Sequence, residues 1–153
     1  MKTDIRQAER LYSITEAAKI TGFTAETLRF YEREGILSGV LRQDGRRRFS
    51  EANLREIQIL TYMKKTGMSL KEIKQYFALF RQGERTFAKR LALLREHEKE
   101  VQRQMRELER SAAHLAFKIW YYETSLKEGA LSFDDREALI ARYCRETGRI
   151  YSM

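Results

Sequence analysis

Proline is absent from the 153 residues, glycine numbers only eight and cysteine one. Each scarcity excludes something. With no proline to remove a backbone donor, long helices are open to the chain, whereas collagen-like and loop-rich architectures are not. A single cysteine, Cys144, excludes an intramolecular disulfide and any cysteine-based metal cluster. No apolar run approaches the roughly 20 residues of a membrane helix, and Met1-Lys2-Thr3-Asp4 lacks the apolar core of an export signal. A cytoplasmic protein with no membrane contact is expected. Catalytic patterns are missing too: no glycine-rich phosphate loop, no supported carboxylate pair, no clustered metal ligands. His97 and His114 are read as solvated, and the chain as a non-enzyme without cofactor or metal.

What the chain has is charge. Thirty Lys and Arg stand against 22 Asp and Glu, a net +8, and 34% of residues are charged. Residues 1–85 carry 17 basic and 11 acidic residues, against 13 and 11 in residues 86–153, so the net excess is +6 and +2. The first half is the candidate polyanion-binding half. So many charges leave too little apolar surface for a compact globule, which points to an elongated element or an oligomer.

Residues 11–82 read as short helices separated by turns, a winged helix-turn-helix head. Ser13-Ile14-Thr15-Glu16 is a capping box that opens a helix through Ile20. Thr21-Gly22-Phe23 turns, and Thr24 caps a second helix to about Glu34. Gly35 follows where a left-handed cap is wanted, with Ile36 placed for its apolar contact. Asp44-Gly45 predicts a hairpin carrying Arg42, Arg46, Arg47 and Arg48. Ser50 then caps a helix to Lys65 with Leu54, Ile57, Leu60 and Met63 on one face. Thr66-Gly67-Met68 turns, and Ser69-Leu70-Lys71-Glu72 boxes a last helix to about Phe80.

Residues 86–123 hold Phe87, Leu91, Leu94, Glu98, Val101, Met105, Leu108, Ala112, Leu115, Ile119 and Tyr122 at alternating steps of four and three. That is a heptad seam broken once, at Glu98. An 80-residue head cannot cover a stripe of about 55 Å, so the helix needs a partner. Leu91, Leu94, Val101, Met105, Leu108, Leu115 and Ile119 are the dimerisation candidates. Residues 124–153 form a tail with a break at Gly129 and a short amphipathic helix over Asp134–Thr147. There Cys144 reads as a small buried apolar group. Trp120-Tyr121-Tyr122 either lines a ligand cavity or packs on the tail or the partner.

In a helix-turn-helix the second helix enters the major groove by its N-terminal turn. Thr24, Glu26, Thr27 and Arg29 are the polar residues there, with Tyr31 as a phosphate donor and Leu28 as the core anchor. Arg29 could instead pair with Glu26 or Glu32 along its own helix. Three consecutive arginines, Arg46 to Arg48, repel one another unless an anion meets them, which a phosphate backbone would do. Lys64, Ser69 and Lys71, with Lys65 beside them, mark a second phosphate site at a helix N-terminus.

The run Tyr12 to Leu37, with Leu28-Arg29-Phe30-Tyr31-Glu32 and Gly35-Ile36-Leu37, resembles the opening of MerR-family transcription regulators. Arg47-Arg48-Phe49-Ser50 resembles the family's wing-to-helix step, and Thr66 to Ile73 its second helix-turn-helix. The resemblance implies a mainly α fold, a winged helix-turn-helix followed by an antiparallel coiled-coil dimerisation helix. It implies a homodimer on pseudo-palindromic promoter DNA, bent and untwisted so that RNA polymerase engages both promoter elements. Thr24, Arg29, Tyr31 and Arg46 to Arg48 map onto the family's DNA-contacting positions. The cysteines of metal-sensing members are missing, Tyr62 stands where thiol-reactive members carry one, and the tail is too short for a multidrug-sensing domain. A small organic effector or a stress signal, sensed between the aromatic end of the long helix and the tail, is expected. A helical adaptor that binds a protein through its coiled coil is the competing class. It differs in predicting sequence-blind, salt-sensitive DNA binding.

Overall fold

The computed structural model describes residues 10–151; the N-terminal residues read for an export signal and the last two of the tail lie outside that range. The chain divides into two compact units between His97 and Glu98. The first unit thus takes in the opening turns of the long helix as well as the head.

In the first unit, β1 (Tyr12–Ser13) leads into α1 (Ile14–Thr21) and α2 (Ala25–Arg33). A hairpin of β2 (Leu41–Gln43) and β3 (Arg46–Phe49) follows, then α3 (Glu51–Lys65) and α4 (Leu70–Phe80). A short 3₁₀ turn, Glu84–Thr86, precedes α5 (Phe87–Glu128). The strands form an antiparallel sheet in the order β1-β3-β2, with Tyr12 opposite Phe49. The strand β1 is not legible in the local sequence, because only pairing with β3 makes two residues a strand.

The caps explain where the helices start. Ser13, Ser50 and Ser69 each accept from the backbone N–H three residues on, and Glu16, Asn53 and Glu72 reach back to the cap N–H. After α2, Gly35 adopts φ 70° and donates to the Glu32 carbonyl while Ile36 donates to that of Tyr31. That is a Schellman stop, and it drives Ile36 and Leu37 into the core. Gly67 closes α3 in the same way, with Met68 as the buried follower.

The apolar faces of α1 to α4 meet in one core with Leu28, Phe49, Ile57, Leu60, Ile73 and Phe77 fully buried. Each such side chain contributes about 1.5–3 kcal/mol, which fixes the angle between helices and hairpin. His97 is a correction. It is not simply solvated: its Nε2 lies 2.8 Å from Thr66 Oγ1. Thr66 Oγ1 also lies within bonding distance of the Tyr62 and Met63 carbonyls, so the single hydroxyl proton goes there and Nε2 donates to Thr66.

The long helix runs to Glu128, five residues past the expected end, because nothing stops it before Gly129 at φ 95°. In the second unit α6 (Arg136–Thr147) starts at an Asp135 cap and lays Leu139 and Tyr143 on Phe117 and Trp120. The Trp120 indole N–H donates to Glu146, and Arg142 clamps Glu146 and Glu128. Cys144 is half-buried against this cluster. Of the aromatic trio, Trp120 and Tyr121 pack on the tail while Tyr122 stays exposed. His114 is exposed but engaged, Nδ1 to the Tyr151 hydroxyl.

The tail covers one face of α5 and leaves another bare. Phe117 and Thr124 fall at f positions of the heptad and Trp120 at b, while the a and d residues face away. Leu108 is 72% exposed and Leu115 63%, with Leu91, Leu94, Met105, Ile119 and Tyr122 also open. Among the described residues no helix is long and apolar enough to cross a membrane.

Candidate nucleic-acid interface

The helix α2 is anchored from beneath. Leu28 is fully buried, and Tyr31 is only 4% exposed, its ring edge-on to Phe23 and Phe30. Tyr31 is therefore a core residue rather than a surface neighbour of Arg29, with at most its hydroxyl left for a phosphate. Burial raises the phenol's pKa further, which keeps it a neutral donor. Anchoring that face turns Thr24, Glu26 and Arg29 outward, all exposed.

The opening turn of α2 differs from those of its neighbours. Thr24 caps it by accepting from the Thr27 N–H at 3.0 Å, and the two hydroxyls lie 2.8 Å apart. One hydroxyl proton is used between them, so the other remains free to donate outward. No carboxylate closes the cap, because position N3 is Thr27 rather than Glu. The N-terminus of α4 is the reverse. Glu72 accepts from both the Ser69 N–H and the Ser69 hydroxyl, which holds its carboxyl below the ordinary range and keeps it charged. A phosphate arriving there meets an anion already in place. An anion at the expected phosphate site around Ser69 would have to displace Glu72 from the cap. Lys64, Lys65 and Lys71 are simply exposed.

The hairpin turns through Asp44 at φ 50° and Gly45 at φ 71°, a type I′ geometry. Its register sets Arg42 directly opposite Arg47 and Gln43 opposite Arg46. Like charges so placed repel. The remedy is internal: Glu32 of α2 pairs with Arg42 at 2.8 Å and with Arg47 through its second oxygen. The three-arginine run is thus not held by an outside anion alone. Glu32 is the residue that sequence reasoning missed as part of the site. Helix spacing offers it to Arg29, and nothing local reveals that the hairpin folds back onto α2.

Arg29 makes no ion pair among the described residues, and neither does Arg46. Arg48 donates to Gln43 at 3.2 Å. Arg29, Arg46, Arg47 and Arg48 line one cleft of about 320 Å³ with Ser13, Ile14 and Thr15. Residues 19 positions apart are thereby brought to one concave, strongly positive surface beside the open end of α2. Such a surface suits a phosphate backbone, with the helix end directed at base edges. Among the described residues no group of three or more His, Cys, Asp or Glu is placed to hold a metal ion.

Comparison with known proteins identifies the family of the head that carries this surface. Residues 12–79 match the model of the MerR HTH family regulatory proteins, and residues 54–116 match the MerR DNA-binding model. An uncharacterized HTH-type transcriptional regulator of Haemophilus influenzae is 37% identical over 121 residues, covering 78% of this chain and 90% of that protein. The crystal structure of HiNmlR, a MerR-family regulator lacking the sensor domain and bound to promoter DNA, superposes with a TM-score of 0.70 at 37% identity. It covers 79% of this chain and 97% of its own. A MerR-family regulator structure from Listeria monocytogenes gives the same TM-score at 31% identity, covering 89% and 99%. The protein belongs to the MerR family of DNA-binding transcription regulators, which are not enzymes.

Proposed function

We propose that the protein acts as a homodimer that grips dyad-symmetric promoter DNA with two heads and distorts it so that RNA polymerase can engage both promoter elements. The observation that carries this reading is the cleft joining Arg29 of α2 to the wing arginines. It presents a base-reading helix end and a phosphate-binding ribbon on one surface. Thr24, Thr27 and Arg29 approach the bases and adjoining phosphates. Arg46 and Arg48 hold the flanking backbone, while Arg42 and Arg47 exchange Glu32 for phosphate as the DNA arrives. Lys64 and Lys71 add long-range attraction, and Ser69 serves the helix cap.

The row of exposed a and d side chains on α5 supports the dimer, because monomeric proteins rarely expose contiguous apolar patches of such length. Leu91, Leu94, Val101, Met105, Leu108, Leu115 and Ile119 form its seam, and the pairing is antiparallel as in the family. The protein works in the cytoplasm, where promoter DNA is, and answers to a small-molecule effector.

The test is a footprint on the DNA upstream of the protein's own gene at near-physiological salt. Protection of a dyad-symmetric site between the two promoter elements, with enhanced cleavage at its centre, is expected. Weak, uniform binding that vanishes with salt would overturn the reading.

A further inference from the structure

We propose that the second unit carries a binding site for a small anionic aromatic molecule, in its simplest form an aromatic carboxylate, and that this ligand is the signal the regulator reads. The signalling half of the proposal rests on the regulator reading above; the binding half does not. The site lies largely beyond residue 116, where the matched family segments end.

A cavity of about 380 Å³ opens between the C-terminal part of α5 and the tail, lined by His114, Phe117, Lys118, Phe133, Arg136 and Tyr151. The volume is within the range of small-molecule sites. The lining is divided between aromatic rings and cationic or imidazole groups, and it contains no carboxylate. Neither Lys118 nor Arg136 has a carboxylate in ion-pair reach among the described residues. Two acids close to Arg136 in sequence are committed elsewhere: Asp134 accepts from the Ser132 hydroxyl, and Asp135 caps α6 through the Ala138 N–H.

Instead, the Lys118 ammonium sits 4.8 Å from the centre of the Phe133 ring and 5.4 Å from that of Tyr121. A cation held over rings stays charged and keeps its hydrogen-bond donors for an anion. The Phe117 and Tyr151 rings, 5.0 Å apart, offer apolar faces for a planar guest. A carboxylate joined to an aromatic ring answers both halves, charge-assisted bonds at one end and stacking at the other. A cationic guest is repelled, and a neutral one leaves the charges unused.

Register keeps the site open in a dimer. His114 and Phe117 are c and f residues of the heptad, away from the a and d seam, and Lys118 borders it at g.

Isothermal titration calorimetry of the full chain with 1-naphthoate, benzoate, benzamide and benzylamine tests the site. The two carboxylates bind saturably, one per chain, and the amide and amine do not. Lys118→Gln and Arg136→Gln each weaken 1-naphthoate by about tenfold or more, while Arg110→Gln, exposed elsewhere on α5, leaves it unchanged. Circular dichroism and Trp120 emission check that each variant folds. Absence of saturable heat, equal binding of all four compounds, or folded variants with wild-type affinity would overturn the site. Footprints with and without 1-naphthoate separate the two halves. Carboxylate binding that leaves the operator complex unaltered overturns the signalling role alone. Failure of the free protein to bind any operator overturns the regulator reading and leaves the site standing.

Discussion

The two helix pairs of the head, α1–α2 and α3–α4, are built from the same local parts and end in opposite electrostatics. Both pairs turn through Thr-Gly, with Thr21 and Thr66 returning their hydroxyls to the carbonyl four residues back. Both open their second helix on a hydroxyl cap, Thr24 or Ser69. The third helical position then differs. Glu72 seals α4 with a charged carboxylate on its cap, whereas Thr27 leaves the cap of α2 with a hydroxyl, and the first-turn Glu26 makes no cap bond. One side chain thus separates a helix end whose cap is closed by a carboxylate from one whose cap is left open. The arginines accordingly gather around α2.

The largest expected effect comes from erasing that distinction. Thr27→Glu gives α2 the capping box of α4, so folding stability holds or rises slightly, while operator affinity falls by several kcal/mol as a carboxylate meets phosphate. Gel-shift titration beside thermal unfolding reads both. A variant that keeps full operator affinity would show that the end of α2 does not face the DNA.

Next is Arg29→Ala, with a loss of about 1–3 kcal/mol and relaxed preference at the contacted base pair. Arg46→Ala weakens all sequences alike and lowers the slope of log affinity against log salt by about 1. The pair of variants sharpens the division between reading and holding, and equal behaviour of both would remove it.

The part of this contrast that is legible in the sequence is the part set by neighbours in the chain. A cap, a Schellman stop or a type I′ turn is decided by four or five contiguous residues, so Ser13, Thr24, Gly35, Asp44-Gly45 and Ser69 could be read directly. The a and d stripe of α5 was legible because a period repeats its apolar signal at ten of eleven positions. What escaped depends on chain-distant packing: β1 exists only beside β3, His97 meets Thr66 across 31 residues, and Glu32 meets Arg47 across 15. Part of the role of Tyr31 was hidden for the same reason. Its hydroxyl suggested a surface contact, and only the docking of Phe23 and Phe30 against it reveals the core role.

Glu32→Gln breaks the link between α2 and the wing. The hairpin loses up to about 1 kcal/mol, since the pairs are only partly shielded from solvent. Where Arg42 and Arg47 exchange Glu32 for phosphate, the variant neutralises the same phosphates without first breaking the two pairs, so operator affinity rises while the slope of log affinity against log salt stays nearly unchanged. A markedly steeper slope would mean that Arg42 and Arg47 stay bound to Glu32 in the wild-type complex. Ser69→Ala, the counterpart at the sealed helix end, costs about 1 kcal/mol of stability through the lost cap, and leaves operator affinity untouched if α4 keeps away from phosphate.

The smallest effect concerns what holds the loop after α2, for which the second pair has no counterpart. Asn53 of α3 donates to the Ser38 carbonyl at 2.7 Å, and Glu56 accepts from the Ser38 N–H. One Glu56 oxygen is buried without a partner, and burial raises the carboxyl's pKa despite the favourable pull of Ser38, Arg81 and Asn53. The sign follows from linkage. A carboxyl that ionises later in the folded than in the unfolded state weakens folding as pH rises from the unfolded carboxylate range through the folded value, and the loss persists above it. Glu56→Gln keeps an acceptor for Ser38 and removes the ionisation. Urea midpoints compared at pH 5 and pH 8, at one protein concentration because the assembly is linked to folding, should therefore fall less with pH in the variant than in the wild type. Parallel slopes would place the pH dependence elsewhere and leave Asn53 as the tie that holds the loop after α2 against α3.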